Sequence, residues 1–100
     1  MGNSSSSGSV PVVPQRISIS PSPPKAGDTA EVCYDFDGLS ITTVQLKITW
    51  DLIGGTTKVE TITVTADSPC STVTVPANAG LFLISDLSGN SPELTGGVDS

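Results

Sequence analysis

Polar and apolar residues alternate without a break in the stretch Thr43-Val44-Gln45-Leu46-Lys47-Ile48-Thr49-Trp50-Asp51-Leu52. Successive side chains of a β-strand point to opposite faces, so this alternation predicts a strand that buries one face. The buried set contains the apolar residues Val44, Leu46, Ile48, Trp50 and Leu52. The solvent-facing set contains Gln45, Lys47, Thr49 and Asp51. We therefore predict a central strand over residues 43–52, with Trp50 in the core.

Short runs with the same two-residue period lie on both sides of this strand, separated by Pro, Gly, Asp and Asn. We predict about seven strands in all, over residues 16–20, 29–36, 43–52, 57–66, 71–75, 81–86 and 93–98. This number and spacing are typical of one antiparallel β-sandwich. Residues 16–100 are therefore predicted to form a single all-β domain, preceded by a flexible Ser/Gly/Pro-rich tail or linker over residues 1–15.

The charge distribution excludes some partners. The chain of 100 residues has a net charge of −6, and its four basic residues, Arg16, Lys25, Lys47 and Lys58, are scattered. Nucleic-acid binding needs clustered positive charge, so we expect no nucleic-acid partner. No apolar stretch approaches the roughly 20 residues of a membrane span, so we expect none.

The composition also argues against catalysis. The sequence contains no histidine, which excludes Ser-His and Cys-His nucleophile systems and removes the commonest zinc ligand. A sandwich of this size offers no deep cleft in which to raise the pKa of a carboxyl group. We expect a protein that is not an enzyme and that has no organic cofactor.

Three segments carry a resemblance to known families. The segment Trp50-Asp51-Leu52-Ile53-Gly54-Gly55-Thr56-Thr57 resembles the W-D-F-G-D-G-T-T turn of PKD-type modules, and Pro24-Lys25-Ala26-Gly27-Asp28 and Pro76-Ala77-Asn78-Ala79-Gly80 are similar to other turns of that group. The second acid of the glycine turn is absent, and Leu81 and Phe82 follow Gly80 where an aromatic residue is usual. The resemblance implies an immunoglobulin-like or fibronectin-type sandwich of a modular extracellular protein, and no catalytic residue.

The two cysteines have matching positions in this fold. Strand parity points Cys33 and Cys70 away from the core, and the second and fifth strands of an immunoglobulin-like sandwich are antiparallel neighbours. We predict a cross-strand disulfide between Cys33 and Cys70, which places the protein in an extracellular compartment. Two free buried thiols in a cytosolic protein are the alternative.

The aromatic residues and the threonine-rich strand give little support for a specific ligand. Parity places the four aromatic residues, Tyr34, Phe36, Trp50 and Phe82, mostly or wholly in the core, which argues against a sugar-stacking platform. The strand over residues 57–66 could pair with another chain at a sheet edge. Lys58 and Glu60 are expected to protect this edge, with Lys58 pointing outward.

Acidic residues gather at one predicted end of the sandwich, at the corners that contain Asp35, Asp37, Asp67, Asp86 and Glu93. Calcium binds six to eight oxygen ligands, so Asp35, Asp37 and Asp86 are candidate calcium ligands. The alternative, which we favour, is that these residues form turns through side-chain to backbone hydrogen bonds. This end is our candidate for the functional surface, because binding residues concentrate on loops of a rigid scaffold.

The N-terminal segment contains two short motifs. Residues 1–6 match the M-G-x-x-x-[ST] pattern of N-myristoylation, and Asn3-Ser4-Ser5 matches a glycosylation sequon. No basic cluster supports a lipid anchor, so we prefer an initiator methionine placed before a mature fragment.

Together these features predict a secreted or cell-surface immunoglobulin-like module that acts as a spacer, adhesion or protein-binding domain. We expect a monomer whose partners are another protein or the neighbouring domains of a longer chain. One alternative is a calcium- or carbohydrate-binding accessory module of a secreted enzyme. A second alternative is a small secreted effector or protease inhibitor.

Overall fold

The protein is all-β in the computed structural model, which describes residues 14–99. These residues form seven strands and no helix: β1 (Ile17–Ser20), β2 (Thr29–Tyr34), β3 (Thr43–Leu52), β4 (Thr57–Thr65), β5 (Cys70–Thr74), β6 (Ala79–Asp86) and β7 (Leu94–Gly97). The predicted strands are confirmed, and each end agrees within about two residues, which is the usual ambiguity of a strand boundary. Most of the predicted tail, including both N-terminal motifs, lies outside the described residues.

The strands form two antiparallel sheets. One sheet has three strands in the order β1-β2-β5, and the other has four strands in the order β4-β3-β6-β7. Together they make a small β-sandwich, which confirms the predicted fold class. β3 is central in the larger sheet because it pairs along its length with β4 and also with β6.

The core follows the alternation of β3. Val44, Leu46, Ile48 and Trp50 are all buried, and Leu52 packs against them at the margin. Trp50 lies next to Phe82 of β6, with ring centroids 6.3 Å apart. Among the described residues the buried set contains no polar or charged residue. Hydrophobic burial therefore holds the two sheets together.

The edge strand β4 corrects one prediction. Lys58 pairs with Trp50 and Glu60 pairs with Ile48 across the two antiparallel strands. Paired residues share a face, so Lys58 lies on the core-side face and does not point outward as predicted. It remains exposed because this face is open to solvent at the end of β4. Charged residues on the core side of an edge strand discourage pairing with another sheet.

Candidate functional site

The predicted disulfide is confirmed. Cys33 and Cys70 face each other across β2 and β5 and their sulfur atoms are bonded. The backbone N–H of Tyr34 donates to the carbonyl of Pro69, which makes Cys33 and Cys70 a pair without backbone hydrogen bonds between them. Side chains approach most closely at such positions. The disulfide therefore joins two neighbouring strands of the smaller sheet, at the ends that lead into the candidate surface.

The three predicted corners lie at one end of the sandwich. They are the β2–β3 loop (residues 35–42), the β4–β5 loop (residues 66–69) and the β6–β7 loop (residues 87–93). Two backbone hydrogen bonds connect this end: Ala66 N–H donates to Thr42, and Leu87 N–H donates to Gln45. We call this end the acidic pole. It carries the five carboxylates Asp35, Asp37, Asp67, Asp86 and Glu93.

The Asp86 carboxylate accepts four hydrogen bonds, more than any other side chain of the acidic pole. Its Oδ1 accepts hydrogen bonds from the backbone N–H of Ser88 at 2.8 Å and from the Ser88 hydroxyl. Its Oδ2 accepts from the Tyr34 hydroxyl at 2.5 Å and from the Asn90 N–H at 3.0 Å. Tyr34 belongs to the three-stranded sheet and Asp86 to the four-stranded sheet. Asp86 therefore orders the start of the β6–β7 loop and also connects the two sheets.

The ionisation of this pair follows from its surroundings. Burial of the Tyr34 hydroxyl, together with its hydrogen bond to Asp86, raises the pKa of Tyr34 to about 12. Burial alone would raise the pKa of the Asp86 carboxyl, but the hydrogen bonds from Ser88, Tyr34 and the backbone outweigh it and lower that pKa. At neutral pH the pair is therefore a neutral phenol that donates to a carboxylate.

Arg16 binds the β2–β3 corner. Its Nη1 donates to the carbonyl oxygen of Asp35 at 3.2 Å and to that of Asp37 at 2.6 Å. The Asp35 carboxylate accepts the N–H of Asp37 at 2.9 Å, which is the Asx turn expected of a turn former. A guanidinium thus occupies two backbone carbonyl oxygens at this corner.

The three predicted calcium ligands are not brought together. Within residues 14–99, one group of three ionisable ligand atoms lies within 4.8 Å, namely Glu31, Cys33 and Cys70, and both of its sulfurs are in the disulfide. Asp86 has both carboxylate oxygens occupied by donors. The calcium site therefore stays a prediction that these contacts do not favour.

The β6–β7 loop is also held from the N-terminal side. The Ser91 hydroxyl accepts the backbone N–H of Arg16 at 3.0 Å and donates to Oε1 of Gln15 at 3.0 Å. Gln15 Nε2 donates to the carbonyl of Glu93 at 3.4 Å. Gln15, assigned by the sequence to the tail, thus contacts the sandwich. The loop is fixed at both of its ends before any ligand binds.

Sequence reasoning found the acidic residues but missed the residues that hold them. The sequence shows Arg16 only as one of four scattered cations and predicts Tyr34 in the core without indicating its partner Asp86. The signal for Tyr34 was available, because a buried tyrosine needs a hydrogen-bond acceptor. The same reasoning applies to Trp50, whose Nε1 donates to Glu60 at 3.1 Å.

The aromatic residues lie where parity placed them. Tyr34, Trp50 and Phe82 are buried, and Phe36 packs against the core with its ring 5.0 Å from that of Tyr34. These are all the aromatic residues of the chain. No exposed ring is therefore present for a sugar to stack on.

Comparison with protein-family models, with curated proteins and with solved structures finds no match to this chain. Within residues 14–99 no helix is long and apolar enough to cross a membrane.

Proposed function

We propose that this chain is a non-catalytic, immunoglobulin-like module of an extracellular protein, which acts as a spacer, adhesion or protein-binding domain. The observation that carries the proposal is the Cys33–Cys70 disulfide on an all-β frame with an apolar core. Disulfides persist in oxidising compartments and are rare in the cytosol, and small extracellular domains use them to supplement a limited core.

The chemistry of the acidic pole supports a role without catalysis. The chain has no histidine. The Asp86 carboxylate is held by four donors and its pKa is lowered, so it is a poor general acid at neutral pH. The contacts of Asp86 with Ser88 and Asn90 order the β6–β7 loop, which is a structural role.

Exposed apolar side chains on the larger sheet support protein binding. Leu81 of β6 and Val59 of β4 are 54% and 53% exposed, and Ile53, in the neighbouring β3–β4 turn, is 67% exposed. Removing apolar side chains of this kind from water is favourable, so they would contribute to binding a partner.

The β6–β7 loop supports the second candidate, a small secreted effector or inhibitor. Its ends are fixed by Asp86 on one side and by Gln15 and Arg16 on the other, and Leu87 is 53% exposed beside Asp86. A loop ordered in advance loses little conformational entropy on binding, which favours tight recognition by a target.

The proposal is tested in the cells that produce the protein. Surface proteolysis would locate it, alkylation without reductant would count its free thiols, and cross-linking with mass spectrometry would identify its neighbours. We expect a surface or secreted protein with no alkylatable thiol and reproducible cross-links to one protein. A cytosolic protein with two reactive thiols would overturn the proposal. Cross-links to a protease that the purified chain inhibits would support the second candidate.

A further inference from the structure

The last strand, β7, has one backbone edge that no other strand of the described part of the chain pairs with. The N–H of Val98 donates to the carbonyl of Gly80. This bond shows which residues of β7 are hydrogen-bonded to β6, because every second residue of an antiparallel strand bonds to the same neighbour. Leu94 and Gly96, at the same parity as Val98, direct their backbone groups toward β6. Thr95 and Gly97 therefore direct their N–H and C=O groups toward the open edge. Among the described residues these groups have no hydrogen-bond partner.

Within residues 14–99, the chain closes this edge at both ends and makes no contact with its middle that would pair the backbone. The carbonyl of Glu93 accepts the Gln15 side chain. At the other end, Asp99 N–H donates to Pro24 at 2.8 Å, and the Asp99 carbonyl accepts Ala26 N–H at 2.6 Å. Between these contacts β1 turns away to pair with β2. The free part of the edge is thus short and defined at both ends.

A groove lies on each side of this free edge. The inner groove, between β1 and β7, measures about 340 Å³ and is lined by Ile17, Ile19, Pro23, Phe82 and Leu94 among others. The outer groove, on the exposed face of the larger sheet, measures about 430 Å³ and includes Leu81, Leu83 and Thr49. Gly96 and Gly97 line both grooves, and a Cβ at Gly97 would meet no atom within 4 Å.

The two edges of the larger sheet differ in their protection. β4 carries Lys58 and Glu60 on its core side, which discourages addition of another strand. β7 has the sequence Leu-Thr-Gly-Gly and carries no charge. The edge with two grooves is therefore also the edge without protective charges.

We propose that β7 binds an extended segment of a partner protein by β-strand addition. Backbone hydrogen bonds to Thr95 and Gly97 would supply affinity, and successive side chains of the segment would enter the inner and outer grooves in turn. The partner segment should place uncharged side chains in both grooves, and apolar ones in the inner groove. This inference deepens the proposed protein-binding function and rests on it.

The acidic residues around β7 indicate which charge the ends of the partner segment should carry. Asp51 lines the outer groove, and Glu93 and Asp99 flank the strand on a chain with a net charge of −6. Lys25, whose backbone forms a β-bridge with Asp99, supplies one positive charge at the far end. A segment with basic residues at both ends of a short apolar stretch matches this distribution.

The test uses the full chain, labelled with ¹⁵N, and the synthetic peptide Arg-Val-Ser-Val-Ser-Val-Arg, followed by NMR and amide hydrogen exchange. We expect saturable binding that slows exchange at the N–H groups of Thr95 and Gly97. Leu94 and Gly96 are internal controls, because their N–H groups are already bonded to β6. A peptide with glutamate at both ends should bind at least tenfold more weakly at low salt.

Two variants separate the edge from its grooves. Thr95→Pro removes an edge donor that β6 does not use, and should weaken binding at least tenfold, whereas Thr95→Val should bind like the wild type. Gly97→Leu fills the outer groove at a position where a Cβ meets no atom within 4 Å, and should also weaken binding. Unfolding curves establish whether each variant is folded. If Thr95→Pro does not fold, the binding of Gly97→Leu tests the proposal.

The proposal is overturned if the peptide does not bind at millimolar concentration, or if it protects β4 or the acidic pole and leaves Thr95 and Gly97 unchanged. Protection of these two groups by a second copy of the chain alone would also overturn it and indicate self-association. The cellular cross-linking experiment is independent of these results. A partner cross-linked at the acidic pole would contradict the proposal that β7 is the binding site, but it would support the proposed protein-binding function.

Discussion

Gly96 of β7 lies directly under the ring of Phe82 of β6, its cross-strand partner, and a Cβ atom at Gly96 would come within 2.8 Å of Cε2 of that ring. Phe82 is 6% exposed and packs beside Trp50. The ring covers a position where any other residue would carry a side chain. The glycine is therefore required by packing.

Gly96→Ala should lower the free energy of unfolding by about 1–3 kcal/mol, because the added methyl group overpacks the core at Phe82. Gly97→Ala is the matched control, since a Cβ there meets no atom within 4 Å. It should change stability by less than about 1 kcal/mol. Urea unfolding of both variants measures the difference, and equal effects would contradict the packing role of Gly96.

Trp50 and Glu60 should be coupled energetically. Trp50→Ala removes the largest fully buried side chain and should cost about 3–5 kcal/mol, enough to unfold much of the protein. Trp50→Phe keeps most of the apolar volume and removes the donor to Glu60. A double-mutant cycle with Trp50→Phe and Glu60→Ala should give a coupling energy of about 1–3 kcal/mol. A coupling energy of zero would show that the 3.1 Å contact contributes nothing.

The Tyr34–Asp86 pair predicts two regions of pH dependence. The pKa of Asp86 is lowered by folding. Its contribution is therefore complete above its unfolded pKa of about 3.9 and is lost as the pH falls through the folded pKa. The pKa of Tyr34 is raised to about 12, so stability is retained below the unfolded pKa of about 10 and falls between the two values.

Tyr34→Phe tests this pair. The variant should lose about 1.5–3 kcal/mol at pH 7, because Tyr34 donates to a charged group, and it should show a smaller further loss at alkaline pH than the wild type. Tyr34 is the single tyrosine of the chain, so tyrosinate absorbance reports its ionisation directly. A midpoint near pH 10 in the folded protein would contradict the buried hydrogen bond.

Calcium should not stabilise the protein. Arg16 occupies the carbonyl oxygens of Asp35 and Asp37, and four donors occupy Asp86. We expect the same melting temperature with and without calcium at about 10 mM, above the dissociation constants of extracellular calcium modules. A rise that the double variant Asp35→Asn/Asp37→Asn abolishes would establish the site instead.

Local pattern predicted most of the fold and little of the site. The alternation in residues 43–52 was sufficient to place β3 and its buried face, and the parity of Cys33 and Cys70 placed the disulfide. Lys58 shares the parity of Ile62 and Val64 and lies on the core-side face, although its charge predicts a solvent-facing position. A buried tyrosine predicts an acceptor for Tyr34, but Asp86 is 52 residues away, so a local pattern does not identify it as that acceptor. The resemblance to PKD-type modules stays a prediction.

The Cys33–Cys70 bond also determines how the protein responds to mechanical force. If neighbouring domains pull on the two ends of the chain, the force passes through the disulfide. The segment between the two cysteines, which are 37 positions apart, is then not extended. At about 3.3–3.6 Å per residue this withholds on the order of 120–130 Å of contour length from an unfolded module. As a spacer, the oxidised protein would therefore act as a short tether, and reduction of this one bond would release the stored length.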